Sequence, residues 1–499
     1  MLIQRLAIQN QGLELELAPG HAAQLHISVR ESENDSPVRD WTQPPAGTLL
    51  IDRLFNSVLY EIQVEALDEA GQVLEAGSRL AMPNFVPGKC VSYLHPTDTA
   101  YDPAGRFFGS PSILKASDGT LYASHDLFLE DYPNQFGVDF RNVPARDRCR
   151  TKLYRSEDAG KSWSYVTDIL NCSFGELFEF RGALYIMAQG ADADEAVSDP
   201  FNVEEHRDIT VKGKGSTRIQ LYRSDDRGQT WQGPCVITHG FAGGFHKAST
   251  PVVEHEGRIW TAFDAPKDPQ TGYGMAAASA PADSDLMDPR NWTVTSPFLY
   301  YDPAWPHALK RFWPYMMEES NLVIAPDQSV RVIARYNSVN YSDEFIRLED
   351  DALRVFMMRA DKENPGAPLE FMDMPHFIGS LSKFTIRFDP ESGRYYSLVS
   401  RDTETHCCQR TILSLVSSAD LYHWQVERDL LNLEDMEWYQ DCQHCGMHYC
   451  SWCFDGEDLV AVCRTALHDC RNYHDANMMT FHRFRNFREK NYAFKYGEN

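Results

Sequence analysis

Arginine, histidine and acidic residues stand at the ends of short apolar runs in this chain, and their types suit work on an acidic ligand. Arg335, Arg401 and Arg464 close or follow the runs "RVIARYN", "YYSLVSRD" and "LVAVCRTA". A guanidinium fork binds a carboxylate through two parallel hydrogen bonds. In a chain of net charge −25, three such forks point to a carboxylated ligand in a local positive pocket. The same arginines can instead pair with acids and tie strands together. His125 ends "LYASHD" and His246 stands in "GFHKAS"; an imidazole titrates near neutrality and can take or give a proton. Asp126, Glu319 and Asn321 can bond hydroxyls, Lys247 and Lys383 add positive charge, and Tyr336 and Tyr449 carry a phenolic proton. Each of these also has a purely structural reading, as a satisfied core group or a tie to the backbone.

The elements that position them are short strands. "LYRSEDAGKSW" (153–163) returns as "LYRSDDRGQTW" (221–231), so that Ser156, Asp158, Gly160 and Trp163 match Ser224, Asp226, Gly228 and Trp231. The Asp accepts bonds from nearby N–H groups, the Gly permits a positive φ, and the Trp anchors the next strand. Weaker echoes are "SSADLYHW", with Ser418, Asp420 and Trp424, and "MDPRNW", ending at Trp292. The tryptophans of these turns lie 68, 61 and then 132 residues apart, the last close to twice the others. A long period built from short β runs and turns means propeller blades. Six segments repeat an apolar run, an Asp/Gly turn and a second apolar run: 111–126, 177–189, 251–264, 322–337, 384–402 and 451–466. The expectation is an all-β, six-bladed propeller over residues 92–490, with seven blades as the alternative. Starts of first strands and ends of second strands then share one face, which is where the residues above fall.

The first ninety residues lack the turn, and "LYEIQVEALDEAGQVLEAGSRLAMP" (59–83) alternates like a hairpin. A small fibronectin-type-III-like sandwich over 1–85 is expected there, joined by "PNFVPG". Hydrophobic content of 43% and charged content of 24% fit an ordinary globular protein. The acidic balance argues against nucleic acid and anionic membrane as partners. The opening residues lack the apolar core of a signal peptide and no run of eighteen apolar residues occurs, so a cytoplasmic location is expected. Nothing in the sequence speaks to oligomeric state.

The repeated turn resembles the Asp-box of the sialidase superfamily. Phrases such as "SPSILKASDGTLYASHDLF", "GFHKASTPVVEHEGRIWTAF" and "FDGEDLVAVCRTALHDCRNYHDANMMTFHRFRNFR" are similar to a sialidase-like branch that includes propeller lyases of rhamnosyl-glucuronate and ulvan linkages. The resemblance covers about four-fifths of the chain. It implies an Asp-box propeller acting on glycans, with a catalytic histidine at the phrase holding His125. True sialidases carry a Phe-Arg-Ile-Pro motif whose arginine grips the sialate carboxylate. Here the corresponding stretch is "FFGSP" (107–111), with Gly109 at the arginine's place and Arg106 out of register. The expectation is therefore cleavage of an acidic oligosaccharide at a uronate by β-elimination. Arginines neutralise the carboxylate, His125 or His246 takes the C5 proton, and a Tyr or His protonates the leaving oxygen. Two alternatives stand beside it. One is hydrolysis of a terminal acidic or deoxy sugar, drawing on Asp126, Asp264 and Glu319; the other is a glycan-binding propeller without catalysis.

Twelve cysteines in a chain of this class read as thiols or metal ligands. "CQHCGMHYCSWC" holds two C-x-x-C pairs, at Cys442, Cys445, Cys450 and Cys453. Cys450 and Cys453 fall in an expected strand, where residues three apart face opposite ways. A structural zinc would instead draw Cys442 and Cys445 together with Cys463, His468, Cys470 or His474, the preferred set being Cys442, Cys445, Cys470 and His474. Buried free thiols are the competing reading. No cofactor is expected for catalysis.

Overall fold

A computed structural model describes residues 1–34, 36–98, 107–128, 149–191, 217–241, 244–268, 272–296, 316–337, 353–401, 403 and 409–489. Each of the six apolar-turn-apolar segments forms the first two strands of an antiparallel sheet, and in the first five a third and fourth strand follow in chain order. The first sheet runs Ser112–Lys115, Leu121–Phe128, Arg150–Ser156 and Ser164–Leu170, with the two-residue strand Phe107–Phe108 added beside Leu121–Phe128. The second begins at Ser173–Phe180, the third at Val253–His255, the fourth at Met316–Ile324 and the fifth at Thr385–Asp389. The sixth comprises Gly446–Asp455, Asp458–Ala466 and Met478–Phe484, and its fourth strand is Lys89–Tyr93 from the other end of the chain. That pairing closes the ring. The fold is a β-propeller.

Neighbouring sheets cannot share a backbone ladder at the axis, so side chains stitch their inner strands together. Ser112 Oγ accepts from Leu177 N–H (3.0 Å) and donates to Glu176 (2.9 Å). Gln189 accepts from Lys247 N–H at 2.7 Å and Ser249 donates to Gly175 O at 2.8 Å. Asn321 spans the fourth and fifth sheets, donating to Phe384 O (3.1 Å) and accepting from Ile386 N–H (3.0 Å). Ser451 accepts from Ile113 N–H at 3.2 Å across the closure. Two lysines expected at the ligand are spent in this layer. Lys247 Nζ donates to Ala248 O (2.7 Å) and Thr250 Oγ1 (2.8 Å), and Lys383 Nζ to Thr385 Oγ1 (2.9 Å) and Cys450 O (3.2 Å). Both are wholly buried, and burial pulls each ammonium down to about 8. In the structure Lys247, Lys383 and Asn321, expected at the ligand, stand as axial ties.

The repeated turn joins third to fourth strands and is closed by its own residues. Asp158 accepts from Ser156 Oγ (2.8 Å) and Ser162 N–H (2.9 Å), Ser156 Oγ accepts from the buried Gly160 N–H (2.9 Å), and Trp163 Nε1 donates to Gly160 O (3.2 Å). Ser224, Asp226, Gly228 and Trp231 repeat these bonds at 2.8–2.9 Å. Near Trp424 the same turn forms with Leu421 at φ 71° in the glycine's place, and Trp424 Nε1 donates to Leu421 O at 3.0 Å.

Residues 3–81 form two further antiparallel sheets, one of three strands and one of four. Their alternating residues Leu6, Ile8, Leu13, Leu15, Ile27, Val29, Ile62 and Val64 are buried in a core that continues into the last two propeller sheets. Arg79 and Asp98, both 2% exposed, form a 2.8 Å ion pair at that junction. Among the described residues no helix is long and apolar enough to cross a membrane.

Candidate functional site

The face where first strands begin is built by a repeated distortion. The ladders of the second, fourth and sixth sheets slip between Ser173 and Glu176, Glu318 and Asn321, and His448 and Ser451. Two residues there oppose one on the partner strand, which is a β-bulge. Each bulge holds a non-glycine residue at positive φ: Phe174 at 53°, Glu319 at 57° and Tyr449 at 54°. Such backbone costs about 1–3 kcal/mol and clusters at functional sites.

A polar network runs through these positions. His246 Nδ1 meets Asp264 Oδ2 at 2.7 Å, and the same oxygen accepts from Glu319 N–H at 3.0 Å. Glu319 carries on to Arg335 Nη1 at 2.7 Å, Glu318 lies 3.2 Å from the same nitrogen, and the Tyr449 hydroxyl bonds to Glu319. Burial pulls the His246 pKa down, yet the bond to Asp264 and the charges of Asp264, Glu319 and Glu318 outweigh it, so the net shift is upward. The His246 side chain keeps 21% of its surface exposed, whereas Asp264 keeps none. This is a fixed acid behind a reachable imidazole, an arrangement that orients a proton carrier. Burial also raises the two glutamates, but Arg335 holds Glu319 below the usual range while Glu318 stays above it.

Three guanidiniums border this network. Arg335 Nη2 and Arg410 Nη2 donate to the same oxygen, Leu381 O, at 2.7 and 2.8 Å. Arg464 lies 5.2 Å over the Tyr449 ring and donates to His474 O. Arg410 is 4% exposed, and its Nε and Nη1 have no partner among the described residues. His448 sits buried in the field of Arg464, Arg410 and His474; burial and those charges hold it far below the ordinary imidazole value. Asp126 completes the rim from the first sheet. Its carboxylate is buried and neither oxygen has a hydrogen-bond partner among the described residues, although the N–H groups of Phe174 and Ser110 face it. Burial raises its pKa to about 6 against the pull of Arg464. Gly109 explains how it fits: a Cβ there would lie 2.1 Å from Asp126 Oδ2, so the carboxylate fills the space of any side chain at 109.

The structure thus brings together His246, Asp126, Glu319, Arg335, Tyr449 and Arg464. It does not place the others with them. His125 points between sheets, tilted against Phe108 (4.1 Å) and stacked on Tyr154 (5.6 Å), with Nε2 3.3 Å from the Tyr154 hydroxyl. Burial drives its pKa to about 3, and strand alternation turns it away from the side that Asp126 faces. Tyr336 packs in the core against Phe356 at 5.3 Å, beside Trp260 and Met275. Arg401 turns outward along its sheet, to Ser414 Oγ at 3.0 Å and Asp429 at 2.5 Å. Cys442, Cys445, Cys470 and His474 do not form a metal site: no three His, Cys, Asp or Glu side chains among the described residues are grouped to hold an ion. The Cys470 thiol donates to His444 O at 3.0 Å, and His474 Nδ1 is 2.9 Å from Asp475. Arg410 and Phe174 were not foreseen. Arg410 precedes the third strand of its sheet, Ile412–Ser418, and so lies beside the end of the second strand, on the same face as the first-strand starts and second-strand ends but belonging to neither set.

No family model matches the chain, and no curated protein matches it. Several solved structures are similar in architecture. An α-L-arabinanase of Penicillium chrysogenum complexed with arabinobiose is 14% identical, with a TM-score of 0.46 over 82% of this chain and 99% of that one. A leech intramolecular trans-sialidase is 12% identical, with a TM-score of 0.46 over 97% and 92%. The NanB sialidase of Streptococcus pneumoniae is 9% identical, with a TM-score of 0.48 over 96% and 92%. Likeness of this degree carries no argument about chemistry, which has to be read from the residues of the site.

Proposed function

We propose that the protein is a glycan-cleaving enzyme acting at an acidic, uronate-type sugar of an oligosaccharide. The observation that carries this is Arg410: a buried guanidinium whose sole partner among the described residues is one carbonyl, Leu381 O, also bound by Arg335. A buried unpaired cation is costly, and a carboxylate from the ligand relieves it. Arg464 lies over the ring of Tyr449.

The favoured reaction is β-elimination. The arginines neutralise the uronate carboxylate and stabilise the charge that develops as C5 loses its proton. His246, held by Asp264, takes that proton on Nε2. The C5–H electrons form the C4–C5 double bond, the C4–O bond breaks, and the leaving oxygen takes the Tyr449 proton. Burial and the neighbouring Glu319 push the Tyr449 pKa far up, so the phenol is protonated at rest. The Tyr449–Glu319 bond also favours a second reading: Glu319 takes the phenolic proton and Tyr449 attacks the anomeric carbon in a hydrolase.

The test uses an oligosaccharide of 4-linked uronates and its carboxyl-reduced form. Arg410→Met should raise KM for the acid form about 10²–10³-fold, the loss expected when a buried charge pair is broken. It should leave the reduced form unaffected. Equal handling of the two forms by the parent protein would overturn the carboxylate reading. An unsaturated product absorbing in the ultraviolet identifies elimination, and a saturated product carrying solvent oxygen identifies hydrolysis. Binding without turnover leaves only a glycan-binding propeller.

A further inference from the structure

The three bulges hold side chains that the backbone would be better without. At φ 53–57° a glycine is unstrained, whereas phenylalanine, glutamate and tyrosine are not. The strain at Glu319 and Tyr449 is accompanied by site chemistry, since Glu319 bonds Arg335 and Tyr449 lies under Arg464. Phe174 is the third member, at the matching place in "SFGE" against "EESN" and "HYCS". It has no polar tip. Its ring meets the His246 ring edge-on at 4.9 Å, it is half-buried, and it belongs to none of the hydrophobic clusters of the described core. A phenylalanine kept only for packing would sit inside one.

We infer that Phe174 is a specificity-determining contact: its ring is the apolar wall on which the C–H face of a pyranose packs beside His246. This rests on the reading of the site as a glycan-cleaving centre. The electron-rich face of an aromatic ring suits the polarised C–H groups of a sugar, and binding sites combine such walls with a few fixed polar groups. Here the polar groups are on the other members of the rim, Asp126, Arg464 and the Glu319–Arg335 pair. A sugar with one continuous C–H face is therefore accepted, and one whose axial hydroxyls interrupt that face is rejected. The contact is the same before and at the transition state, so it acts on binding rather than on the chemical step.

The experiment compares Phe174→Gly, Phe174→Ala and Phe174→Tyr with the parent protein on oligosaccharides of 4-linked glucuronate and of 4-linked galacturonate, by steady-state kinetics and thermal melting. Phe174→Gly should melt no lower than the parent and above Phe174→Ala, because glycine releases the bulge. Both should raise KM about 10–100-fold with kcat within about threefold, and narrow the parent's preference between the two sugars. Phe174→Tyr should restore KM. Parental KM in the Gly and Ala variants overturns the inference while leaving the functional reading intact. So does a fall in kcat at unchanged KM, which would make Phe174 a support for His246. A Phe174→Gly protein that does not fold overturns the strain argument. A parent protein that neither binds nor cleaves these sugars refutes the functional reading itself, and this inference with it.

Discussion

Replacing Asp264 by asparagine isolates the proton carrier. Asparagine keeps an oxygen for the Glu319 N–H, now 3.0 Å from Oδ2, so the bulge retains its anchor. It removes the charge 2.7 Å from His246 Nδ1. An opposite charge at such range is worth about 1–3 pKa units, or roughly 1.4–4 kcal/mol between the two forms of the ring. The His246 pKa, raised in the parent, should fall once that charge is gone. If His246 is the base, the acid limb of the kcat/KM profile moves to lower pH; if it is the acid, the alkaline limb moves to lower pH instead. In either case kcat drops about 10²–10⁴-fold, because orientation and proton affinity are lost together. Stability follows the same linkage. The folded-state pKa of His246 exceeds the unfolded value of about 6.5. The pair therefore stabilises fully below that value, and the contribution disappears as pH rises through the folded-state pKa. The variant should lose this pH dependence. Kinetic profiles and NMR titration of the His246 ring, both against pH, are the assays. A limb that stays in place while the ring titration moves would refute His246 as the proton carrier.

Two other perturbations test neighbouring parts of the argument. Asp126 has a folded-state pKa of about 6, above the usual carboxylate value, so the parent's stability should fall as pH rises from about 4 to about 6. Asp126→Asn should gain up to about 3 kcal/mol over the parent above pH 6 and match it near pH 4 in denaturation series, and parallel curves would show the carboxyl to be solvated. In the repeated turn, Asp158→Ala strands the Ser162 N–H and frees the Ser156 hydroxyl that holds Gly160, at a cost of about 1–2 kcal/mol with kcat and KM unchanged. A variant that melts normally yet has lost activity would give the turn a role in the site.

The fold was legible because its signals are local and repeated. Asp158, Gly160 and Trp163 define a turn within six residues, and the six hairpins show as apolar runs broken by Asp and Gly. The site was legible only in part. His246, Arg335 and Arg464 stand at strand ends, and strand ends are found by reading runs. Their direction is another matter. His125 and Asp126 are adjacent, so alternation sends one between sheets and the other to the rim, and the sequence does not say which. Arg401 and Arg410 bracket the space between two strands, and only the folded sheet shows the first reaching Asp429 and the second Leu381 O. The cysteine spacing misled for a similar reason: proximity in sequence is not convergence on one point, and Cys470 spends its thiol on His444 O.

The axial layer and the bulges above it account for where chemistry can arise in this ring. Ser112, Asn321 and Ser451 lock adjacent inner strands by bonding to the backbone of the neighbouring sheet, and Lys247 and Lys383 are enclosed beside them. Such groups are satisfied by the fold and have nothing left for a ligand. One step toward the rim, the bulges at Phe174, Glu319 and Tyr449 break the alternation that would otherwise hand every second residue to the space between sheets. The extra residue in each strand re-aims one side chain toward the rim without changing the register of the ties below. The strain is supportable because the locked layer fixes both ends of each distorted segment. Among the described residues, buried side-chain atoms without a hydrogen-bond partner stand above that layer at Asp126, Arg410 and His448.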